Sequence, residues 1–190
     1  MAEWVSAATT ASLPEAQDPP ARPLEFAEVY AGHFAFVWRS LRALGVSPTH
    51  LADAAQDAFL VVHRRLAEFE GRAHLRTWLF AIVEHVAFNY RRAERRKAAP
   101  LRPLDSEQPS EEPDPVECTA DLEAARFLQG FLASLDDGKR AVFALALVEE
   151  MSAPEVAAIL SIPENTVYSR IRAVRQAFRA AALRHQEHKP

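Results

Sequence analysis

A single cysteine, Cys118, rules out an internal disulfide and any cysteine-rich zinc site within this chain. Only five glycines occur in 190 residues, and none belongs to a phosphate-cradling glycine loop. No segment alternates apolar and polar residues in the manner of a strand. The longest uninterrupted apolar run, Ala141 to Val148, is far too short to span a bilayer, and the N-terminus lacks the basic-then-apolar pattern of a secretory signal. The histidines show no H-E-x-x-H spacing, and His185 and His188 sit in what reads as a fraying tail. No nucleophile, base and orienter occur at usable spacing. These absences predict an all-helical, cytoplasmic protein with no membrane insertion, metal, cofactor or small-molecule substrate. They also exclude catalytic chemistry of its own.

The net charge of −4 is unpromising for a nucleic-acid binder until it is divided along the chain. Residues 1–23 carry −2, 24–97 carry +3, 98–124 carry −7 and 125–190 carry +2. Two mildly basic blocks therefore flank an acidic connector. Residues 1–23 have no periodic apolar face, which predicts a mobile tail. Within 98–120, Pro100, Pro103, Pro109, Pro113 and Pro115 stand among Asp105, Glu107, Glu111, Glu112, Asp114 and Glu117. Such a segment cannot bury enough apolar surface to offset its ordering entropy, so a flexible, extended linker is expected there. Two small helical domains follow, over 24–97 and 121–190.

In the first block, Phe26, Val29, Tyr30, Phe34, Val37, Trp38, Leu41 and Leu44 recur at threes and fours, as in one helix of about six turns ending near Gly45. Ser47-Pro48 then reads as a cap with proline in the first turn. The helix it opens turns Leu51, Ala54, Ala55, Ala58, Phe59, Val62 and Leu66 inward and leaves Asp53, Gln56, Asp57 and Leu60 on the other side. Three polar groups beside an exposed leucine suit helix docking, although a plain solvated face has the same pattern. After a glycine-bearing break at Phe69–His74, a third helix buries Trp78, Leu79, Ile82, Val86 and Tyr90 and ends in Arg91-Arg92-Ala93-Glu94-Arg95-Arg96-Lys97. Five cations among seven residues exceed what a helix dipole needs, and phosphate contact is their better use.

In the second block, Leu122, Phe127, Leu128, Phe131, Leu132 and Leu135 form one helix face, and Val142, Phe143, Leu145, Ala146 and Val148 another. Ser152-Ala153-Pro154-Glu155 has the form of a capping box. Val156, Ile159 and Leu160 supply a short apolar face before Ser161-Ile162-Pro163 interrupts the helix. From Pro163 or Glu164 a last helix buries Val167, Ile171, Val174 and Phe178 and carries Asn165, Tyr168, Ser169, Arg172 and Gln176 opposite. Between Glu164 and Glu187 there are five arginines and no acid. A short capped helix, a tight break and a basic helix form the helix-turn-helix pattern of a duplex reader.

Two motif sets resemble bacterial RNA polymerase sigma factors of the sigma-70 family, in the extracytoplasmic-function group. Asp53-Ala54-Ala55-Gln56-Asp57-Ala58-Phe59 resembles their polymerase-docking helix. Phe69-Glu70-Gly71 with Leu75-Arg76-Thr77-Trp78-Leu79-Phe80-Ala81-Ile82 resembles the loop and helix that read the melted promoter. Ile162-Pro163-Glu164-Asn165-Thr166-Val167-Tyr168-Ser169-Arg170 resembles the start of the upstream-element reader. The resemblance implies no enzyme but an initiation factor whose Asp53, Gln56, Asp57 and Leu60 bind core RNA polymerase. It implies that the loop Glu70–Arg76, with Glu70, Arg72, His74 and Arg76, holds a base flipped from the minus-ten element, with Asn89, Arg91 and Arg92 supporting the strand. Tyr168, Ser169 and Arg172 would reach base edges of the minus-thirty-five element in promoter DNA, Thr166 and Arg170 its backbone, with Asn165 beside them. An anti-sigma factor is a compatible partner. Ala173, Glu84, His85 and Ser161 depart from the family pattern, and a left-handed Ser161 would cost roughly 1 kcal/mol.

Two other readings use the same residues. A stand-alone helix-turn-helix regulator would shift DNA without polymerase, and a helix-binding adaptor would be indifferent to Arg172→Ala.

Overall fold

Local chemistry sets the helix boundaries in the computed structural model, which describes residues 24–71, 74–98 and 120–187. The expected tail, Arg72, Cys118, His188 and the linker between its end residues lie outside them. Helix α1 (Phe26–Ala43) stops at Gly45, whose φ of 88° permits a left-handed turn. The amide of Val46 donates to the Leu41 carbonyl and that of Gly45 to Arg42, the paired bonds of a Schellman close. The cap expected at Ser47 does not form. Pro48–His50 make a 3-10 turn instead, and the Ser47 hydroxyl donates to Glu94. Helix α2 (Leu51–Arg65) then buries Leu51, Ala54, Ala55, Ala58, Phe59 and Val62, as its periodicity predicts.

Helix α3 (Leu75–Ala98) crosses α1 and α2 and completes the first domain. Its buried face is broader than expected, because Phe80, Val83 and Ala87 are enclosed as fully as Leu79, although the expected Trp78 and Tyr90 are only partly buried. The extra width has a partner: α3 faces the second domain as well as its own.

That second domain comprises α4 (Ala120–Ser134), α5 (Asp137–Val142), α6 (Ala153–Leu160) and α7 (Glu164–Glu187). Asp136 caps α5 by accepting from the Lys139 amide at 2.8 Å. Where one continuous helix was expected after it, Phe143–Val148 widen into a π turn; of the expected face Val142 and Leu145 are buried, joined by Ala144, while Phe143, Ala146 and Val148 are only partly so. The predicted capping box is present, with the Ser152 amide donating to Glu155 at 2.8 Å. Ser161 closes α6 in the left-handed region, at φ 52°.

The two domains do not stand apart. Val37 and Leu41 of α1, Leu79 and Val83 of α3, and Val142, Leu145, Val156 and Val167 of the second domain share one apolar core. A second cluster of Phe131, Leu132, Leu135 and Val174 ties α4 to α7. Phe178 is 41% exposed, correcting its expected burial, yet its ring packs edge-on against Phe127 and Phe131. His185 belongs to α7 rather than to a fraying tail and lies against Phe127.

Candidate nucleic-acid interface

Helix α7 presents its polar face from a fixed base. Pro163 cannot donate, but its carbonyl accepts from the Thr166 and Val167 amides, which starts the helix one residue later. Val167 and Val174 are fully buried, so the residues half a turn away are forced outward. Asn165, Tyr168, Ser169, Arg172 and Gln176 are all exposed, Tyr168 at 57%, and they line one open groove with Arg175 and Arg179. Arg175 and Arg179 widen the set named from sequence. The Ser169 hydroxyl donates to the Thr166 carbonyl at 2.9 Å and keeps its lone pairs free to accept.

Arg170 is placed differently. Its guanidinium lies over Gly138 in α5, about 3.0 Å from where a Cβ would stand, and its charge helps hold the Asp136 carboxyl below its ordinary range. The main cause of that depression is the hydrogen bond from Lys139. A Cβ at this position would require the guanidinium to shift by a few tenths of an ångström.

On α2, Asp53, Gln56, Asp57 and Leu60 share one exposed face, with Leu60 44% exposed. The Tyr90 hydroxyl donates to Asp57 at 2.8 Å. Desolvation, together with the carboxylate, pushes the Tyr90 phenol up to about 12. An aromatic groove of Phe26, Tyr30, Phe34, Trp38 and Phe59 adjoins this face, continuous with Leu60.

The loop and α3 are more divided. Gly71 takes φ 72° and Phe69 packs on Trp78, which brings the chain round to His74. Glu70 and Arg76 are exposed, and the Arg76 guanidinium lies over the Phe36 ring at 5.6 Å. His74 and Arg76 line a cavity of about 420 Å³ with His33, Met151, Glu155 and Ile159. Desolvation, and then Arg76, lower the His33 imidazole from its ordinary value. Asn89 and Arg92 face outward as expected, while Arg91 is only 8% exposed. It turns inward because two acceptors lie there: the Leu44 carbonyl at 2.6 Å and Asp137 at 2.8 Å. Glu84 is half-buried beside them, its carboxyl raised by desolvation and by Asp137. Its departure from the family pattern thus belongs to packing between domains.

Among the described residues no cluster of His, Cys, Asp or Glu is arranged to hold a metal, and no helix is long and apolar enough to cross a membrane.

Two family models match the chain. The model described as sigma-70 region 2 matches residues 29–97, and sigma-70 region 4 matches 128–178. The chain is 30% identical over 154 residues to the RNA polymerase sigma factor CnrH of Cupriavidus metallidurans, covering 77% of this chain and 80% of that protein. It is 30% identical over 145 residues to the ECF RNA polymerase sigma factor SigM of Mycobacterium tuberculosis, covering 76% and 70%. The structure of CnrH in complex with the cytosolic domain of CnrY superposes with a TM-score of 0.61 at 24% identity, over 82% of this chain and 85% of that one. At that identity the superposition speaks for the fold.

Proposed function

Because the chain belongs to the sigma-70 family, in its extracytoplasmic-function group, and is an RNA polymerase sigma factor for transcription initiation, we propose how its surfaces divide that work. Asp53, Gln56, Asp57 and Leu60 on α2 dock core polymerase. The loop from Glu70 to Arg76, with Asn89 and Arg92, holds the opened strand of the minus-ten element. Tyr168, Ser169 and Arg172 reach the base edges of the minus-thirty-five duplex, with Asn165 and Thr166 beside them. A planar arginine fork matches a guanine edge, and an exposed basic helix fits a major groove. An anti-sigma partner fits the same surfaces, as CnrY partners CnrH in the superposed structure.

One observation carries this reading: a polar docking face on α2 and a basic reading face on α7 are both exposed, on separate domains of one chain. Docking and duplex reading can then proceed together. Run-off transcription with purified core polymerase on a randomised promoter library tests it. Enrichment of templates sharing two spaced elements, with Arg172→Ala abolishing selection at the upstream one, is the expected result. Selection by the chain alone, with no need for core enzyme, would favour a stand-alone regulator and overturn the reading.

A further inference from the structure

We propose that Tyr90 is a positioning residue for polymerase docking: from α3 it holds the Asp57 carboxylate of α2 in one orientation for a basic partner. The inference rests on the reading of the α2 face as the docking surface. It adds a residue that the docking motif itself does not contain.

Asp57 is exposed, and an exposed carboxylate left to itself turns among several rotamers. Here its Oδ2 accepts from the Tyr90 hydroxyl at 2.8 Å, across 33 residues of sequence. Tyr90 can hold Asp57 because it is itself held. Its half-buried ring lies 6.0 Å from that of His50, tilted by 51°, in the 3-10 turn that leads into α2. Buried Val86 and Ala87, one turn earlier on the same face, fix the side of α3 from which the phenol reaches out. Three elements therefore meet at one hydrogen bond.

The kind of donor matters as much as its place. An arginine or lysine there would cancel the charge of the carboxylate it held, whereas a phenol donates while neutral. Desolvation, then the hydrogen bond and the charges of Asp57 and Asp53, push this phenol up to about 12, so it remains a donor throughout the neutral range. Asp53 and Asp57 stand four residues apart on α2, a like-charged spacing that weakens a helix. Fold stability does not call for two acids there, and an oriented pair of them suits a cationic surface. Asn89 and Arg92, beside Tyr90 in α3, are exposed. One rigid helix thus steadies the docking carboxylate and carries the residues proposed to meet the opened strand.

The test measures binding of the full chain to purified core polymerase, by displacement of a dye-labelled wild-type chain, for Tyr90→Phe, Asp57→Ala and the double variant. Tyr90→Phe deletes only the hydroxyl and keeps the ring beside His50, and affinity should fall about threefold to tenfold, the range of one net hydrogen bond. Asp57→Ala should fall at least as far, and adding Tyr90→Phe to it should cost nothing more. A phenol that merely props up the fold would weaken binding equally in both backgrounds. That additivity would overturn the inference, as would wild-type affinity for Tyr90→Phe beside a weakened Asp57→Ala. Wild-type affinity for Asp57→Ala would instead sink the docking assignment, and the inference with it, so the two failures are told apart. Circular dichroism of each free variant keeps loss of fold from imitating loss of docking.

Discussion

Helices α3 and α7 each carry five cations in a short span, yet they use them in different ways. On α7 the buried positions Val167 and Val174 lie seven residues apart, which leaves Arg172, Arg175 and Arg179 outside on a surface no other described element covers. On α3, Arg91 follows four residues after buried Ala87 and so falls on the side that meets the second domain. Arg92, one residue on, turns to solvent. A cationic run is therefore not one surface. Helical register, and what packs on each side, decides which charges are available.

The largest effect that would test this contrast is at the freer helix. Arg172→Ala should lower initiation from a selected promoter between about fivefold and a hundredfold, from the roughly 1–3 kcal/mol carried by a bidentate base contact, and relax selection at one upstream base pair. A uniform loss across all templates would move Arg172 to the backbone. Next comes Arg92→Ala, which should weaken holoenzyme on every promoter alike and flatten the salt dependence by about one unit of slope. A change in sequence preference instead would give α3 a reading role.

Smaller effects concern how each helix is held. Ser161→Gly relieves a left-handed serine just before α7 and should raise stability by about 1 kcal/mol in urea denaturation; a loss would mean the serine side chain holds the turn. Tyr90 reports on α3. Its phenol, raised to about 12, favours the neutral form in the fold, so this contribution is whole below pH 10 and disappears as pH rises through 12. Absorbance titration at alkaline pH should show one late tyrosine, and Asp57→Asn should bring it back toward 10. No movement would mean that the Asp57 carboxylate does not set the shift.

Much of this was legible in the sequence. Apolar periodicity located the helices, Gly45 and Ser161 marked two ends, and the exposed sets on α2 and α7 followed from burial at threes and fours. The cap at Ser47 was misread because Pro48 favours a 3-10 turn and Glu94, far along the chain, takes the serine hydroxyl. The inward neighbours of Arg91 and Arg170 were not legible, because sequence shows a charge but not what it meets. Asp137 and the bare backbone at Gly138 come from elsewhere in the chain. The pairing of Arg39 with Glu149 had no local signal at all, being a contact across 110 residues.

The π turn at Phe143–Val148 bears on that pairing. It holds one residue more than an α turn, and the Glu149 amide reaches five residues back, to the Ala144 carbonyl, at 3.0 Å. Removing one residue inside it would close the wide turn back to α spacing and change where Glu149 leaves the helix. A one-codon deletion there would thus test how the halves fit together without altering the helices that build each half.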